Sequence, residues 1–209
     1  MVRSDFYDIR EGVLELSFLK QVAFAASCCE RLLPNYSAFS SEEGRGNYQL
    51  LRYGLDRVWD FLIGQPNDLE QLTNRLEHEC MGDVFSEEII PNSPYAYEAE
   101  LASIAVFDTL NSCSTRESEF IVRAHICTVD TITEHVRILR EIDNPEWPYE
   151  RTNEEQEEDV FCHPFVIREL AKEREDLYRL RELETLNQEI FQWLRSSFDN
   201  DGKSSIDLS

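Results

Sequence analysis

The chain has 209 residues, of which 42% are hydrophobic, and it contains only 7 Gly and 7 Pro. This length fits one domain with a substantial core, and so few turn-forming residues argue against a loop-rich β fold. The formal net charge is −22. That charge argues against nucleic acid and anionic membrane as partners, because binding to either depends on basic patches.

The acidity is concentrated in two blocks. Residues 60–120 carry 13 acids against 2 bases, and residues 141–159 carry 9 acids against 1 base. Together they hold −19 of the −22. Such blocks are typical of solvated helix faces, and they are also able to engage a basic protein partner.

The N-terminus, MVRSDFYDIREG, lacks the apolar core of a signal peptide, and no run approaches the ~18 apolar residues of a membrane span. We therefore expect a cytoplasmic protein whose cysteines are reduced thiols. None of them forms a C-x-x-C pair, which argues against a zinc ribbon or a thioredoxin-type site. The six cysteines are Cys28, Cys29, Cys80, Cys113, Cys127 and Cys162.

The first apolar pattern runs through LELSFLKQVAFAASCCERLL. Its stripe recurs at steps of three or four residues, which predicts a helix. Pro34 interrupts the pattern, because it has no amide hydrogen for the carbonyl of Glu30 and disfavours helix at Leu33. We expect a kinked or broken helix there, with the Asn35 side chain or water as the replacement donor. The members of the stripe are Phe18, Val22, Ala25, Cys29 and Leu32.

The next segments are shorter. The helical segment ends at Gly44–Gly46, and Asn47 is placed to cap a new helix that ends at Ile63. Residues 68–80 read as a short helix and residues 81–92 as a loop. Ser93, followed by Pro94, is typical of a helix start.

A central helix is predicted from the stretch EAELASIAVFDTL. It is apolar on most of its circumference, which favours a buried position. Ser114 and Glu117 match a capping box, which predicts a further helix ending near Ile142.

The acidic stretch that follows is predicted to be a linker with a short helix. NPEWPY, at residues 144–149, reads as a loop, and Thr152 with Glu155 forms a second capping box. His163-Pro164 is expected to end that helix and to begin the last one, since Pro suits a first helical position. A single apolar stripe then predicts one long helix over residues 164–198.

The sequence thus predicts an all-α single domain of about eight helices over residues 1–209. Within it we distinguish motif-bearing helices, central helices, an acidic linker with a short helix, a long C-terminal helix and a tail. These segments span residues 1–64, 65–142, 143–163, 164–198 and 199–209.

Metal and nucleophile motifs are scarce. No histidine has a Glu three residues before it, and H-E-x-x-H, G-x-S-x-G and a Gly-rich phosphate loop are missing from the sequence. We therefore expect no metal and no cofactor. The four histidines are His78, His125, His135 and His163.

One carboxylate pattern supports an alternative. Glu155 and Glu158, followed by Glu173 and Asp176, are similar to the paired carboxylates of all-α, magnesium-dependent nucleotide pyrophosphatases. Charge patterning alone also explains the match, because residues 154–159 are nearly all acidic.

A polar group is predicted where the first two helices meet. Asp56 and Asp60 lie at i,i+4 beside Trp59, and like charges at that spacing need a basic neighbour. Arg52 and Arg57 are near enough to supply it. Glu30 and Arg31, at the predicted bend, could pair with the same residues. An ion-pair network is the favoured interpretation and a ligand pocket is the alternative.

The run AFAASCCERLLPNYSAFSSEEGRGNYQLLRYGLDRVWDFL resembles the YjaG-like bacterial proteins, a family known as domain of unknown function 416. The shared elements are Cys-Glu-Arg, Pro-Asn-Tyr, the Gly-x-Gly turn and Leu-Asp-x-x-Trp, and the ending GKSSID is also similar. The resemblance implies a cytoplasmic all-helical domain and no particular activity. The residues it marks, with Asp60 beside them, form the candidate polar site: Glu30, Arg31, Asn35, Tyr36, Asp56, Trp59 and Asp60.

The sequence therefore predicts a protein that acts by protein contact through its acidic surface, as an inhibitor or immunity-type protein does, or by binding an unidentified ligand. A basic protein is the expected partner. The alternative is a metal-dependent hydrolase of nucleotides that uses Glu155, Glu158, Glu173 and Asp176. A homo-oligomer that uses the long last helix as its interface is a further possibility.

Overall fold

The computed structural model describes residues 2–65, 69–81, 95–118, 120–196 and 204–207. Those ranges contain ten α-helices and one short π-helical turn at Glu77–Met81, and the fold is all-α as predicted. The helices are α1 (Val2–Leu14), α2 (Phe18–Glu43), α3 (Tyr48–Leu62), α4 (Leu69–Leu76), α5 (Ala96–Thr115), α6 (Arg123–Asp143), α7 (Trp147–Glu150), α8 (Asn153–Phe161), α9 (Pro164–Glu182) and α10 (Gln188–Ser196).

The N-terminal apolar pattern forms two helices. Ser17 adopts an extended conformation between α1 and α2. The side-chain amide of Gln21 donates to the carbonyls of Val13 and Leu14 at 3.2 and 3.3 Å. It thereby binds the Leu14 carbonyl at the end of α1 and adds a second bond to the Val13 carbonyl, which also accepts from the amide of Leu16 at 3.0 Å.

Helix α2 continues through Pro34 to Glu43, so the predicted alternative of a broken helix is wrong. Gly44 ends the helix in the left-handed conformation that a glycine adopts without strain. The predicted caps that follow are confirmed. Asn47 accepts from the amide of Leu50 at the start of α3, and Thr152 with Glu155 forms a capping box on α8.

The centre of the fold is the pair α2 and α5. Helix α5 packs against α2, α3, α4 and α6. Its buried residues lie on most of its circumference, as predicted for a central helix. Small side chains let the two backbones approach closely. The buried alanines of the pair are Ala23, Ala25, Ala26, Ala96, Ala99, Ala102 and Ala105.

Two predicted boundaries are wrong. Ser114 belongs to the last turn of α5, which ends at Arg116 in the left-handed conformation, and α6 begins only at Arg123. The long C-terminal helix predicted over residues 164–198 is two helices, α9 and α10. Lys20 donates to the carbonyl of Leu183 at 2.6 Å, and the Asn187 side chain accepts from the amide of Ile190 at 3.0 Å. These bonds satisfy backbone groups at both ends of the break.

His163 caps α9 and Pro164 is its first residue, as predicted. The helix start predicted at Ser93-Pro94, most of the loop 81–92 and residues 197–203 lie outside the described residues. Among the helices that the structure describes, none combines the length and the apolar character that a membrane crossing needs.

Candidate functional site

Glu30 and Arg31 are neighbours on α2, and they enter two different charged clusters. Successive residues of an α-helix point about 100° apart. The side chain of Glu30 is 16% exposed, whereas that of Arg31 is 2% exposed. The predicted polar site is therefore two sites.

The Glu30 cluster comprises Glu30, Arg52, Asp56, Trp59 and Arg195, and it ties α2 to α3 and α10. Arg52 donates to both carboxylate oxygens of Glu30, at 2.5 and 3.1 Å, and to Asp56 at 2.7 Å. The Trp59 indole donates to Glu30 at 2.8 Å. Arg195 donates to Asp56 at 3.0 Å. Burial opposes the charge of Arg52, but the bonds to Glu30 and Asp56 outweigh it and raise the pKa of its guanidinium.

Two further members of the predicted site are bonded to other residues, although Asp60 lines a pocket with Trp59 and Arg195 of the Glu30 cluster. Asp60 forms an ion pair with Arg57 on its own helix. The buried Tyr36 hydroxyl donates to the carbonyl of Cys80 at 3.0 Å and accepts from the amide of Asn47 at 3.1 Å. Tyr36 thus braces the turn before α3. A Cβ on Gly46 would meet the Tyr36 oxygen at 2.7 Å, so this turn needs its glycine.

The Arg31 cluster lies in the core between α2, α6 and α9. The Arg31 guanidinium donates to Glu169 at 2.6 Å, to Asp176 at 3.1 Å and to the Ser27 hydroxyl at 2.8 Å. Its distance to the Glu173 carboxylate is 3.8 Å. A buried charge is tolerated only when it is paired and hydrogen-bonded, and Arg31 meets both conditions. The members of the cluster are Ser27, Arg31, His125, Glu169, Lys172, Glu173 and Asp176.

Each ring nitrogen of His125 faces an oxygen in this cluster. Its Nδ1 lies 2.6 Å from a Glu173 carboxylate oxygen, and its Nε2 lies 3.2 Å from the carbonyl oxygen of Phe6. A carboxylate and a carbonyl both accept hydrogen bonds, which favours the form of the ring that carries a proton on each nitrogen. Burial disfavours the imidazolium, but the charge and hydrogen bond of Glu173 outweigh it and raise the pKa of His125. The Phe6 ring stacks on the imidazole at 4.7 Å, which fixes α1 to the core.

Other groups in the Arg31 cluster are shifted toward their neutral forms. Burial raises the pKa of Glu169 to about 7 against the opposing charge of Arg31. Burial also lowers the pKa of Lys172, although Asp176 opposes that shift. The neighbouring Cys28 thiol has its pKa raised, first by burial and then by the Glu173 charge. Cys28 is therefore an unreactive thiol rather than a nucleophile.

Asn35 lies one turn beyond Arg31 on α2 and is fully buried. Neither atom of its side-chain amide has a hydrogen-bond partner within the described part of the chain. The expectation that Asn35 replaces the missing donor for the Glu30 carbonyl is therefore wrong. A buried amide without partners costs stability.

The four carboxylates of the predicted hydrolase site divide into an exposed pair and a buried pair. Glu155 caps α8 through Thr152, and Glu158 is exposed on the same helix. Glu173 and Asp176 are fully buried and are bound by the cations of the Arg31 cluster. In the described ranges, no three His, Cys, Asp or Glu side chains are arranged to hold a metal ion.

Sequence reasoning missed Glu169 as a site residue. Glu169, Glu173 and Asp176 follow the i, i+4, i+7 spacing of one helical face. That face also carries the buried Leu170 and Leu177. Carboxylates inside an apolar stripe predict a buried cation on a neighbouring helix, and this signal was available in the sequence.

The acidic segment, residues 141–159, is a folded and exposed part of the surface. Asp159 accepts from the Trp147 indole at 3.0 Å and pairs with Arg140 at 3.0 Å. Ile142 is 71% exposed and Tyr149 is 83% exposed. These are the two most exposed large apolar side chains of the described residues, and both lie within the acidic segment.

Comparisons with known proteins place this chain among others of the same length and fold. The sequence model of the family described as "Protein of unknown function (DUF416)" matches residues 8–209. The "Uncharacterized protein YjaG" of Escherichia coli (strain K12) is 26% identical over 198 residues, which are 90% of this chain and 90% of that protein. The crystal structure of a DUF416 family protein from Shewanella baltica OS155 matches with a TM-score of 0.81. It is 22% identical and the match covers 96% of this chain and 97% of that one, which shows a shared fold.

Proposed function

The chain belongs to the DUF416 family, and from this premise we propose that it is a binding protein whose acidic segment engages a basic protein partner. Its action is that of an inhibitor or immunity-type protein, and its location is the cytoplasm. The six cysteines support that location, because all are free thiols and five are buried.

The main support for this proposal is the exposure of Ile142 and Tyr149 within the acidic segment. Large apolar side chains that are mostly exposed and surrounded by charge mark protein-interaction surfaces. Tyrosine is enriched among the residues that dominate binding energy at interfaces. Apolar anchors within an acidic rim fit a partner that has a basic rim around an apolar patch.

The charges of the acidic segment support the same partner. Within the part of the chain that the structure describes, Asp159 is paired with Arg140, whereas Glu141, Glu146, Glu154 and Glu158 are exposed and form no ion pair. Uncompensated carboxylates on one surface create a negative potential that attracts a basic protein and orients its approach.

The test compares two variants of equal net charge. The chain is purified with its bound proteins from its native cells, the partner is identified by mass spectrometry, and its Kd is measured by calorimetry. The segment variant changes Glu141, Glu146, Glu154 and Glu158 to Gln. The control variant changes Glu11, Glu42, Glu77 and Glu184, which are also exposed. We expect the segment variant to bind about tenfold more weakly and the control to bind as the wild type does.

A second variant tests the apolar anchor. Tyr149→Ala is expected to weaken binding by about tenfold, whereas Tyr7→Ala, also at an exposed tyrosine, leaves binding unchanged. Equal weakening by both charge variants would mean unspecific attraction between opposite charges. That result, or unchanged binding in both, would overturn the proposal.

A further inference from the structure

A groove of about 530 Å³ lies between α9 and α10, beside the residues that join them. Leu183, Ile190 and Trp193 supply its apolar lining. Glu182 from α9 and Glu189 from α10 supply carboxylates. The groove is thus apolar inside and acidic along both helices.

An exposed aromatic ring stands between carboxylates at this groove. Tyr178 is 63% exposed. Glu175 precedes it by three residues and Glu182 follows it by four, so all three share one face of α9. Arg179 is the basic residue of the groove, and it already donates to Glu175 at 3.2 and 3.3 Å. In the described chain no basic side chain pairs with Glu182 or Glu189.

The protein's own cations show how this groove accepts positive charge. The Arg179 guanidinium lies 4.0 Å from the centre of the Trp193 ring while it is bonded to Glu175. The Lys172 ammonium lies 4.1 Å from the same ring and pairs with Asp176. An aromatic face combined with a carboxylate is therefore the arrangement used here for both kinds of cation.

We propose that the α9–α10 groove binds a short basic segment of a protein partner. A Lys or Arg of that segment lies on Tyr178 and pairs with Glu182 or Glu189, and an aliphatic side chain beside it contacts Leu183 and Ile190. This proposal rests on the proposed function, since it names a recognition element of the same basic partner. A second copy of the chain is disfavoured as the occupant, because each copy carries −22.

The experiment uses a defined probe, the acetylated and amidated peptide Lys-Leu-Arg-Leu-Lys. The full chain labelled with ¹⁵N is titrated with this peptide, and the indole resonance of Trp193, assigned with Trp193→Phe, is followed by NMR. We expect that resonance to shift on titration while those of the buried Trp59 and Trp147 stay in place. A peptide with Gln at the basic positions is expected to cause no shift.

Matched variants locate the binding. Tyr178→Ala, and separately the pair Glu182→Gln with Glu189→Gln, are expected to raise the Kd of the peptide about tenfold. Tyr7→Ala and the pair Glu11→Gln with Glu184→Gln serve as controls and are expected to leave it unchanged. Equal effects of groove and control variants would overturn the proposal. So would a self-associated chain in sedimentation that the groove variants dissociate, since the occupant would then be a second copy.

The outcome for this groove is separable from that for the acidic segment. If the native partner depends on residues 141–159 but the peptide does not shift Trp193, the groove proposal alone fails. If the peptide binds at the groove but the native partner is insensitive to the acidic segment, the proposed function alone fails.

Discussion

The Glu30 cluster and the Arg31 cluster start from adjacent residues and differ chiefly in their access to water. Arg52, at the centre of the first, is 22% exposed, whereas Arg31, at the centre of the second, is 2% exposed. Water replaces a lost partner in the first cluster and cannot do so in the second. The ion pairs of Arg31 should therefore contribute much more to the stability of the fold than those of Arg52.

Removal of Arg31 is expected to have the largest effect on stability. Arg31→Met leaves the buried carboxylates of Glu169, Glu173 and Asp176 without their shared guanidinium. We expect the free energy of unfolding to fall by about 3–5 kcal/mol, because an uncompensated buried charge is left behind. Urea unfolding followed by circular dichroism measures the change.

Arg52→Met is the matched control in the Glu30 cluster. Its loss should cost about 1 kcal/mol, and the cost should shrink at high salt, because salt screens half-exposed pairs. The cost of Arg31→Met should not depend on salt. Equal costs for the two variants would contradict the distinction between the clusters.

The buried Arg31 cluster should also make the stability of the fold depend on pH. The pKa of Glu169 is raised from 4.5 to about 7 in the folded state. Between these two pH values the folded chain keeps a proton on Glu169 that the unfolded chain has lost, so stability falls as the pH rises. The pKa of His125 is also raised, and it changes stability in the same direction. The stability that protonated His125 contributes is fully present below about pH 6.5 and is lost as the pH rises through the pKa of the folded state. Both groups predict that stability falls as the pH rises from 5 to 8.

Glu169→Gln isolates the first of these groups. The variant keeps an oxygen that accepts from Arg31 but has no proton to release. We expect its stability relative to the wild type to rise by about 2 kcal/mol between pH 5 and pH 8. Denaturant unfolding at both pH values measures this difference. A relative stability that is constant with pH would show that Glu169 does not titrate in this range.

An effect as small as that of Arg52→Met, but of opposite sign, is expected at Asn35, a buried polar group in neither cluster. Asn35→Leu removes two unpartnered polar atoms and keeps a similar shape. We expect the free energy of unfolding to rise by about 1 kcal/mol. Asn47→Leu is the contrasting variant, because Asn47 caps α3, and it should lower stability by about 1 kcal/mol. A loss of similar size at Asn35 would mean that its amide is satisfied.

The fold was largely predictable because local signals mark most helix ends. Asn47, the Thr152–Glu155 box and His163-Pro164 cap helices where the sequence places them. The break between α9 and α10 was missed because the apolar stripe continues across it. The carbonyl of Leu183 accepts from Lys20, which is more than 160 residues away in sequence. No local sequence pattern predicts that contact.

The charged clusters were predictable in part. The pairing of Glu30 with Arg52 was expected, because both residues lie in the motif and on two helices that follow one another in the chain. Arg31 was expected in the same group, but its helical position turns it about 100° away, toward α9. The motif does not determine which helix packs against the Arg31 side of α2, because that depends on the tertiary structure. The spacing of Glu169, Glu173 and Asp176 was the signal that could have identified that helix.

Under the proposed function, Asp159 gives the acidic segment a property that affects the rate of association. It holds the Trp147 indole and Arg140 together, so α7 and α8 are fixed before any partner arrives. A surface that is ordered in advance loses little conformational entropy on association. If the acidic segment binds the proposed basic partner, the association rate should fall steeply with ionic strength while the dissociation rate changes little.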